Sequence, residues 1–189
     1  IRQTVEKNRY FLDELNKVYQ VVKYTAAQKD ILPKYKKGTI CVVLTSKYRF
    51  YGKINKDLIN FFLSFKSGLN MTDNVIVGKT GVAYFKALKT YAFTPLIFQS
   101  DLPNLTELLS LSKILADYKT ILVFYPQVKT IMIHIPTMKD ITQAPIFTTL
   151  APSKKSFIFE PEIRKILIYF ETQIKILLIE QTFLEAELT

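Results

Sequence analysis

Residues 163–188 read IRKILIYFETQIKILLIEQTFLEAEL, and apolar residues recur through this stretch at alternating spacings of four and three. Residues 1–26 show the same alternation. This period is typical of a coiled-coil seam, and each seam has one polar member, Asn8 in the first and Gln181 in the second. We therefore predict two amphipathic helices that pack through their seams. The seam positions are Ile1, Val5, Asn8, Leu12, Leu15, Tyr19, Val22 and Ala26 in the first helix and Ile163, Leu167, Phe170, Ile174, Leu177, Gln181, Leu184 and Leu188 in the second.

The two helices lead into and out of the intervening chain, so compact packing predicts that they run antiparallel. Placing Ala26 beside Ile163 brings the other seam residues to matching heights, and Asn8 then faces Gln181. Two amides at one height can hydrogen-bond to each other instead of facing hydrocarbon. At 1.5 Å per residue the shared seam is roughly 40 Å long, and we expect it to project from a compact body as a stalk.

The expected organisation is one body carried on a helical pair. Residues 1–29 form the N-terminal stalk helix, residues 30–160 form a globular foot, and residues 161–189 form the C-terminal stalk helix, which pairs with the first. The sequence starts without Met and ends within the helical pattern, so we expect both helices to continue beyond it.

Four short β-rich runs of the foot alternate with amphipathic helical patterns. This rhythm predicts an α/β fold in which a mostly parallel sheet is flanked by helices, a Rossmann-like foot. A fifth run at 130–135 follows a turn at 126–129 and predicts one antiparallel strand. We expect Asn55 to cap the helix that follows the first strand and Phe157–Phe159 to form an edge strand. The four alternating runs are 40–44, 74–77, 96–98 and 120–125.

Composition limits the class of protein. The 189 residues are 49% hydrophobic, which is enough for one well-buried core. The net charge of +10 indicates an acidic protein, an anionic membrane surface or a nucleic acid as a candidate partner. The single cysteine, Cys41, lies in an apolar run and cannot form an internal disulfide. No run of about 20 apolar residues is present to span a bilayer, so we expect a soluble or membrane-peripheral protein.

Residue patterns that carry chemistry are weak. Gly78-Lys79-Thr80 resembles the end of a phosphate-binding loop, but Asp73 occupies the place of that loop's first glycine. His134 is the only histidine, and its place in an apolar run favours a strand residue over a catalytic one. One histidine and one cysteine leave only carboxylates as further metal ligands. We therefore expect no catalytic, cofactor-binding or metal-binding residues.

Five short segments of the foot match a known family in order and spacing. Through them the chain resembles, over nearly its whole length, the gamma subunit of F-type ATP synthases, which is the central rotor shaft. The first segment departs from the family because the family's Arg-Gly-Leu-Cys core is missing from it, which indicates a changed partner for this loop. The segments are Thr45–Gly52 with Asn55 and Leu58, Val75–Gly81, Ser100–Leu108, Gln143–Pro145 with Leu150–Pro152, and Phe159–Pro161.

The resemblance implies a non-catalytic central-stalk subunit of an F-type or F-type-like rotary ATPase, which transmits torque between an alpha/beta hexamer and the partner of the foot. The implied partners are alpha- and beta-type ATPase subunits, an epsilon-type stalk subunit, and a membrane ring or a specialised foot partner. It implies no cofactor and no nucleic acid, and a cytoplasmic location peripheral to the inner face of the cell membrane. Lys47, Arg49 and Lys53 are the expected foot-partner contacts.

Three alternatives stay open. Low Gly, abundant Ile and Lys and no Trp are typical of AT-rich genomes such as those of wall-less bacteria, where F-type-like assemblies drive other work, including gliding. A second interpretation is a nucleotide-binding α/β enzyme, based on Gly78-Lys79-Thr80. A third is a basic nucleic-acid binder, based on the net charge; salt-sensitive DNA binding would distinguish it.

Overall fold

A computed structural model of the protein describes residues 2–31, 35–46, 52–68, 72–89, 91–100, 102–130, 133–142 and 162–187. Within these ranges the side chains of residues 2–6, 8, 9, 52, 128–130 and 187 are not described. The described residues form five helices and five strands. In chain order they are α1 (Arg2–Gln28), β1 (Lys37–Leu44), α2 (Gly52–Lys66), β2 (Asp73–Val77), α3 (Lys79–Leu88), β3 (Thr94–Leu96), α4 (Leu105–Leu115), β4 (Tyr118–Thr130), β5 (Ile133–Asp140) and α5 (Ile163–Glu187).

The five strands form one mixed sheet in the order β3-β2-β1-β4-β5. The first four strands are parallel, with Val42 opposite Val75 on one side and opposite Val123 on the other. β5 is added antiparallel to β4. The predicted α/β fold, with a mostly parallel sheet and one antiparallel strand, is confirmed.

Alternate residues of the strands supply two separate hydrophobic clusters. Ile40, Val42 and Leu44 of β1 point to the face covered by α1, α4 and α5. Cys41 and Val43 point to the opposite face, which α2 and α3 cover. Because both faces are buried, β1 reads as a continuous apolar run and not as an alternating one.

The hairpin between β4 and β5 lies later in the chain than predicted. β4 continues through residues 126–129, the predicted turn, to Thr130, and β5 runs from Ile133 to Asp140. Pro126 pairs with Pro136 across the two strands. Neither proline has an N–H to donate, so the pair is tolerated at a ladder position that makes no hydrogen bond. Proline was therefore a misleading turn signal here.

Two further expectations for the foot are wrong in detail. β3 covers Thr94–Leu96, so Phe98 lies beyond the strand, where it is buried against Phe183 of α5. Asn55 does not cap α2 but lies inside it. Its side-chain Oδ1 accepts from the backbone N–H of Ser46, and its Nδ2 donates to the Ser46 hydroxyl. The predicted edge strand Phe157–Phe159 lies outside the described residues.

Candidate functional site: the packing of the two terminal helices

α1 buries one face and exposes the other. Leu12, Tyr19, Val22 and Ala26 are buried and Leu15 is partly buried. These five residues are predicted seam positions. The side chains of the predicted seam residues Val5 and Asn8 are outside the described part of the structure. The outward face carries large apolar and aromatic side chains, and such exposed patches mark interaction sites. They are Tyr10, Phe11, Val18 and Tyr24, each more than half exposed.

α5 buries its seam and, in its second half, most of its other side chains as well. The seam residues Ile163, Leu167, Ile174, Gln181 and Leu184 are buried, and Phe170 and Leu177 are partly buried. Leu188 lies outside the described residues. Buried residues off the seam are Ile176, Leu178, Ile179, Thr182, Phe183 and Glu185.

The second half of α5 is buried because it packs between α1 and the foot. α5 contacts α1, and it also contacts β4 and α4. Phe183 packs against Phe98 with ring centroids 5.8 Å apart. The expectation that the whole seam stands clear of the body is therefore wrong for this part of α5. Helix and foot share one hydrophobic core there.

The relative direction of the two helices follows from the sheet. α5 reaches the part of β4 just after its pairing with β1, where the Tyr125 hydroxyl donates to Glu185 Oε2 at 2.8 Å. α1 ends at Gln28, shortly before β1 begins at the opposite, amino-terminal end of the parallel strands. Since β1 and β4 are parallel, this geometry has the two helices running in opposite directions.

A polar cluster joins the two helices near the start of α5, and we call it the Glu171 clasp. The hydroxyls of Tyr19 and Tyr35 both donate to Glu171 Oε1, at 2.8 and 2.9 Å. Tyr19 belongs to α1, Tyr35 to the connection that follows it, and Glu171 to α5. Hydrogen bonds to a charged acceptor are stronger than neutral ones. The clasp therefore fixes three separate segments to one carboxylate.

The clasp changes the acidity of its members. Burial, then the charge of Glu171 and the hydrogen bond to it, raise the pKa of Tyr19 and of Tyr35 well above the ordinary value of 10.0. The Lys175 ammonium lies 5.1 Å from the centroid of the Tyr35 ring. Burial lowers the pKa of Lys175, and the charge of Glu171 opposes that shift.

Alkaline pH is expected to weaken the folded state through these tyrosines. The unfolded chain releases their protons near pH 10, whereas the folded chain retains them, so their contribution is present below that pH and is lost above it. The lowered pKa of Lys175 acts in the opposite direction. Urea unfolding between about pH 9 and 11 should show a steeper loss of stability in the unmodified chain than in the double variant Tyr19→Phe, Tyr35→Phe. The exposed Tyr24→Phe is the control, and equal slopes in all three proteins would contradict the assignment.

A second buried polar group lies at the other end of the helical pair. The Gln181 side-chain amide donates to Glu185 Oε1 at 2.9 Å, and Glu185 also accepts from Tyr125. Gln181 thus has a partner in its own helix, four residues on. Its predicted contact with Asn8 stays a prediction, because the Asn8 side chain is outside the described part of the chain.

Asn16 is a buried polar residue of α1 that lies off the predicted seam. It is 1% exposed, and its Oδ1 has no hydrogen-bond partner among the described residues. Leaving a buried acceptor unpaired costs about 1–3 kcal/mol. Asn16→Leu is therefore expected to raise the free energy of unfolding by about 1–2 kcal/mol, measured by urea denaturation. Asn60→Leu, at an exposed site on α2, should change it little; a loss of stability in Asn16→Leu would show that the amide is satisfied.

The first turn of α3 is already occupied by a side chain. The Gly81 N–H donates to Thr45 Oγ1 at 3.0 Å, and the Thr45 hydroxyl donates to the Val77 carbonyl at 2.6 Å. Gly78 has φ of 96°, and a Cβ there would lie 2.0 Å from the Thr45 carbonyl oxygen. Close approach of Thr45, and not a phosphate, accounts for the glycines of this segment.

Because Thr45 takes the helix N–H that a phosphate requires, we expect ATP and GTP not to bind this chain. Isothermal titration calorimetry at about 1 mM nucleotide should give no heat of binding. A Kd above this concentration corresponds to a binding free energy weaker than about 4 kcal/mol. Thr45→Ala frees the Gly81 N–H and is the informative comparison. Saturable binding to the unmodified chain would instead support the nucleotide-enzyme interpretation.

The remaining predicted residues are the expected foot-partner contacts and His134. Lys53 is exposed on α2, while Lys47 and Arg49 are outside the described residues. His134 of β5 is half-buried, and its Nδ1 has no hydrogen-bond partner in the described part of the chain. Among the described residues no group of His, Cys, Asp or Glu is arranged to hold a metal ion. None of the helices described is both long and apolar enough to cross a bilayer.

Three solved structures of ATP synthases contain a chain with this fold. A chain in the cryo-EM structure of the central stalk and c-ring of the Tetrahymena thermophila mitochondrial ATP synthase is 13% identical, with a TM-score of 0.66, and the match covers 99% of this chain and 89% of that one. A chain of the Euglena gracilis mitochondrial ATP synthase in rotational state 3, a structure of OSCP, F1 and c-ring, is 9% identical with a TM-score of 0.61, covering 99% and 76%.

A chain from the rotor of the Euglena gracilis enzyme in rotational state 1 is 10% identical, with a TM-score of 0.56 and coverage of 99% and 84%. No family model and no curated protein matches the sequence. At these identities the similarity shows the fold. This chain therefore has the fold of chains found in ATP synthase stalk and rotor structures.

Proposed function

We propose that this protein is the gamma-type rotor shaft of an F-type or F-type-like rotary ATPase, a subunit without catalytic activity of its own. The observation that carries the proposal is the packing of the helical pair, α1 and α5, on the foot. α1 contacts α5, and α5 is embedded between β4 and α4. The fold similarity to chains of ATP synthase stalk and rotor structures supports the same assignment.

A shaft has to pass a twisting force from the helices to the body without slipping. The second half of α5 meets this need, because Ile179 and Phe183 are buried in the core that also contains Tyr125 of the sheet. Packed interiors are dense and deform little. The Glu171 clasp adds a second attachment, between α1, the connection to β1 and α5. Torque on either helix therefore reaches the sheet.

The outward face of α1 is the proposed contact with the ATPase subunits. Tyr10 and Phe11 are 71% and 54% exposed, and such large side chains are costly to leave in water unless a partner covers them. In this proposal alpha- and beta-type subunits surround that end of the helical pair. An epsilon-type subunit and a membrane ring or specialised partner contact the foot, and the complex lies at the inner face of the cell membrane. The same shaft serves a synthase or a motor that drives other work, including gliding.

Co-purification from the source organism tests the proposal. A tagged chain is expected to bring down alpha- and beta-type ATPase subunits, and the variant Tyr10→Ser, Phe11→Ser is expected to lose them while remaining folded. Ile168→Ser, Tyr169→Ser replaces two exposed apolar residues near the start of α5 and should retain them. Absence of ATPase subunits from the unmodified pull-down would overturn the proposal. Adding a c-ring to the purified chain then separates a synthase shaft, which should bind it, from a motor with another foot partner.

A further inference from the structure

Positive charge is concentrated in one part of the sequence. Residues 47–89 contain eight lysines and arginines and two aspartates, so they carry +6 of the net charge of +10. α1 and α5 together contain eight basic and seven acidic residues. The helical pair is therefore nearly neutral, whereas the region of α2 and α3 is strongly basic.

Five of these lysines are exposed on α2, on α3 or directly after α3, and we call the surface they form the basic face. Lys53 and Lys56 are exposed on α2, Lys79 and Lys86 are exposed on α3, and Lys89 follows α3. α2 and α3 cover the sheet on the side opposite the helical pair. A sixth lysine, Lys66, turns inward and donates to Asn74 Oδ1 at 2.6 Å.

The five lysines of the basic face are not neutralised within the described part of the chain, where no carboxylate oxygen lies within 4.0 Å of their ammonium groups. Elsewhere in the described residues, three lysines do have a carboxylate partner: Lys17 pairs with Glu14, Lys36 with Asp117 and Lys37 with Asp73. Asp57 is the only acidic residue on the two helices, and it is half-buried. Unpaired charges of one sign on one face raise its potential and attract an anionic partner.

The side chains between these lysines distinguish among anionic partners. Asn60, Ser64 and Ser67 are exposed on and just after α2, and Ala83 and Ala87 are exposed on α3. The exposed large apolar side chains of the two helices are Phe61 and Leu88, at 37% and 38%. Two such residues do not make the continuous apolar face with which peripheral helices enter a bilayer. α2 and α3 contain no arginine, the residue that binds phosphate groups with two parallel hydrogen bonds. Ammonium groups beside hydroxyls and an amide suit carboxylates.

We infer that the basic face of α2 and α3 docks a carboxylate-rich, acidic segment of a partner protein. The inference rests on the proposed function, since it identifies the chemistry of the foot's partner. The predicted contact Lys53 belongs to this surface. Electrostatic docking of this kind mainly accelerates association and selects the partner, and it weakens as salt screens the charges.

The direct test uses a 20-residue polyglutamate peptide as the probe and the full chain as the receptor. The peptide is expected to bind in low salt. Reversal of four charges on the basic face, Lys53→Glu, Lys56→Glu, Lys79→Glu and Lys86→Glu, is expected to weaken binding about tenfold or more. Reversal at four exposed lysines elsewhere gives the same net charge and should weaken it less than about threefold. The control variant is Lys23→Glu, Lys113→Glu, Lys119→Glu and Lys165→Glu.

Vesicles of phosphatidylglycerol and phosphatidylcholine and a DNA duplex are the competing probes. Equal losses in the two variants would overturn the inference, because the attraction would then come from net charge alone. Tighter binding of vesicles or DNA than of polyglutamate, lost in the basic-face variant, would also overturn it. Co-purification of ATPase subunits is scored in the same variants. The proposed function predicts that both variants retain these subunits, so failure of the inference and failure of the proposed function are distinguishable.

Discussion

Glu171→Ala is expected to lower the free energy of unfolding by about 2–4 kcal/mol, since each hydrogen bond to a charged acceptor contributes about 1.5–3 kcal/mol and partial exposure reduces the sum. The substitution leaves the hydroxyls of Tyr19 and Tyr35 without their common acceptor. Tyr19 is 5% exposed, so its hydroxyl has little access to water as a replacement. Urea denaturation of the full chain measures the change.

Two further variants show whether the loss belongs to the clasp. Glu171→Gln keeps an acceptor oxygen of the same reach but removes the charge, so it should fall between the original chain and Glu171→Ala. Glu14→Ala removes a carboxylate of α1 whose partner, Lys17, is an exposed neighbour on the same helix, and it should leave stability nearly unchanged. If Glu171→Ala is as stable as Glu14→Ala, the clasp does not hold the helices together.

Gly78→Ala is expected to cause the largest loss, about 3 kcal/mol or more, because it combines strain with a clash. Gly78 has φ of 96°, a conformation that residues with a side chain rarely adopt. The added Cβ would lie 2.0 Å from the carbonyl oxygen of Thr45, and a backbone atom cannot move aside as a flexible side chain can. Relief would require separating β1 from the start of α3.

Gly38→Ala is the matched control for that prediction. A Cβ at Gly38 has nothing within 4 Å and the backbone there is not in the left-handed region, so the substitution should be neutral or slightly stabilising. Thermal or urea unfolding of both variants makes the comparison. Equal stability of the two variants would show that Thr45 does not pack on Gly78, and Thr45 would then not exclude a phosphate from the start of α3.

Local patterns predicted the foot well where one physical effect dominates. The apolar run 40–44 could only be a strand buried on both faces, and β1 covers it. Asn104 and Glu107 form a reciprocal pair at the start of α4, and their spacing of three residues is a signal that the sequence predictions did not include. The turn predicted at Pro126 was wrong. Whether a strand tolerates a proline depends on which of its positions make ladder hydrogen bonds, and the sequence of one strand does not show which positions these are.

The helical pair was harder to predict because its environment is not local. The seam positions are readable from spacing, but the unbroken apolar run 176–179 shows that this part of α5 has no solvent side. The apolar run indicates burial against the foot. The spacing of the seam residues alone predicts burial on one side of α5 only. The Glu171 clasp joins residues 152 positions apart in one hydrogen bond, so no sequence window contains it. Asn16 reads as an ordinary polar helix residue until packing covers it.

Rotation of the foot in the purified complex tests the rotor assignment most directly. Cys41 is fully buried, so Ser110→Cys on the exposed side of α4 gives one accessible thiol for a fluorescent or gold probe. With the ATPase subunits fixed to a surface, the assignment predicts that the probe turns in one direction when ATP is hydrolysed and stops when it is not. A probe that stays still while the complex hydrolyses ATP would contradict it.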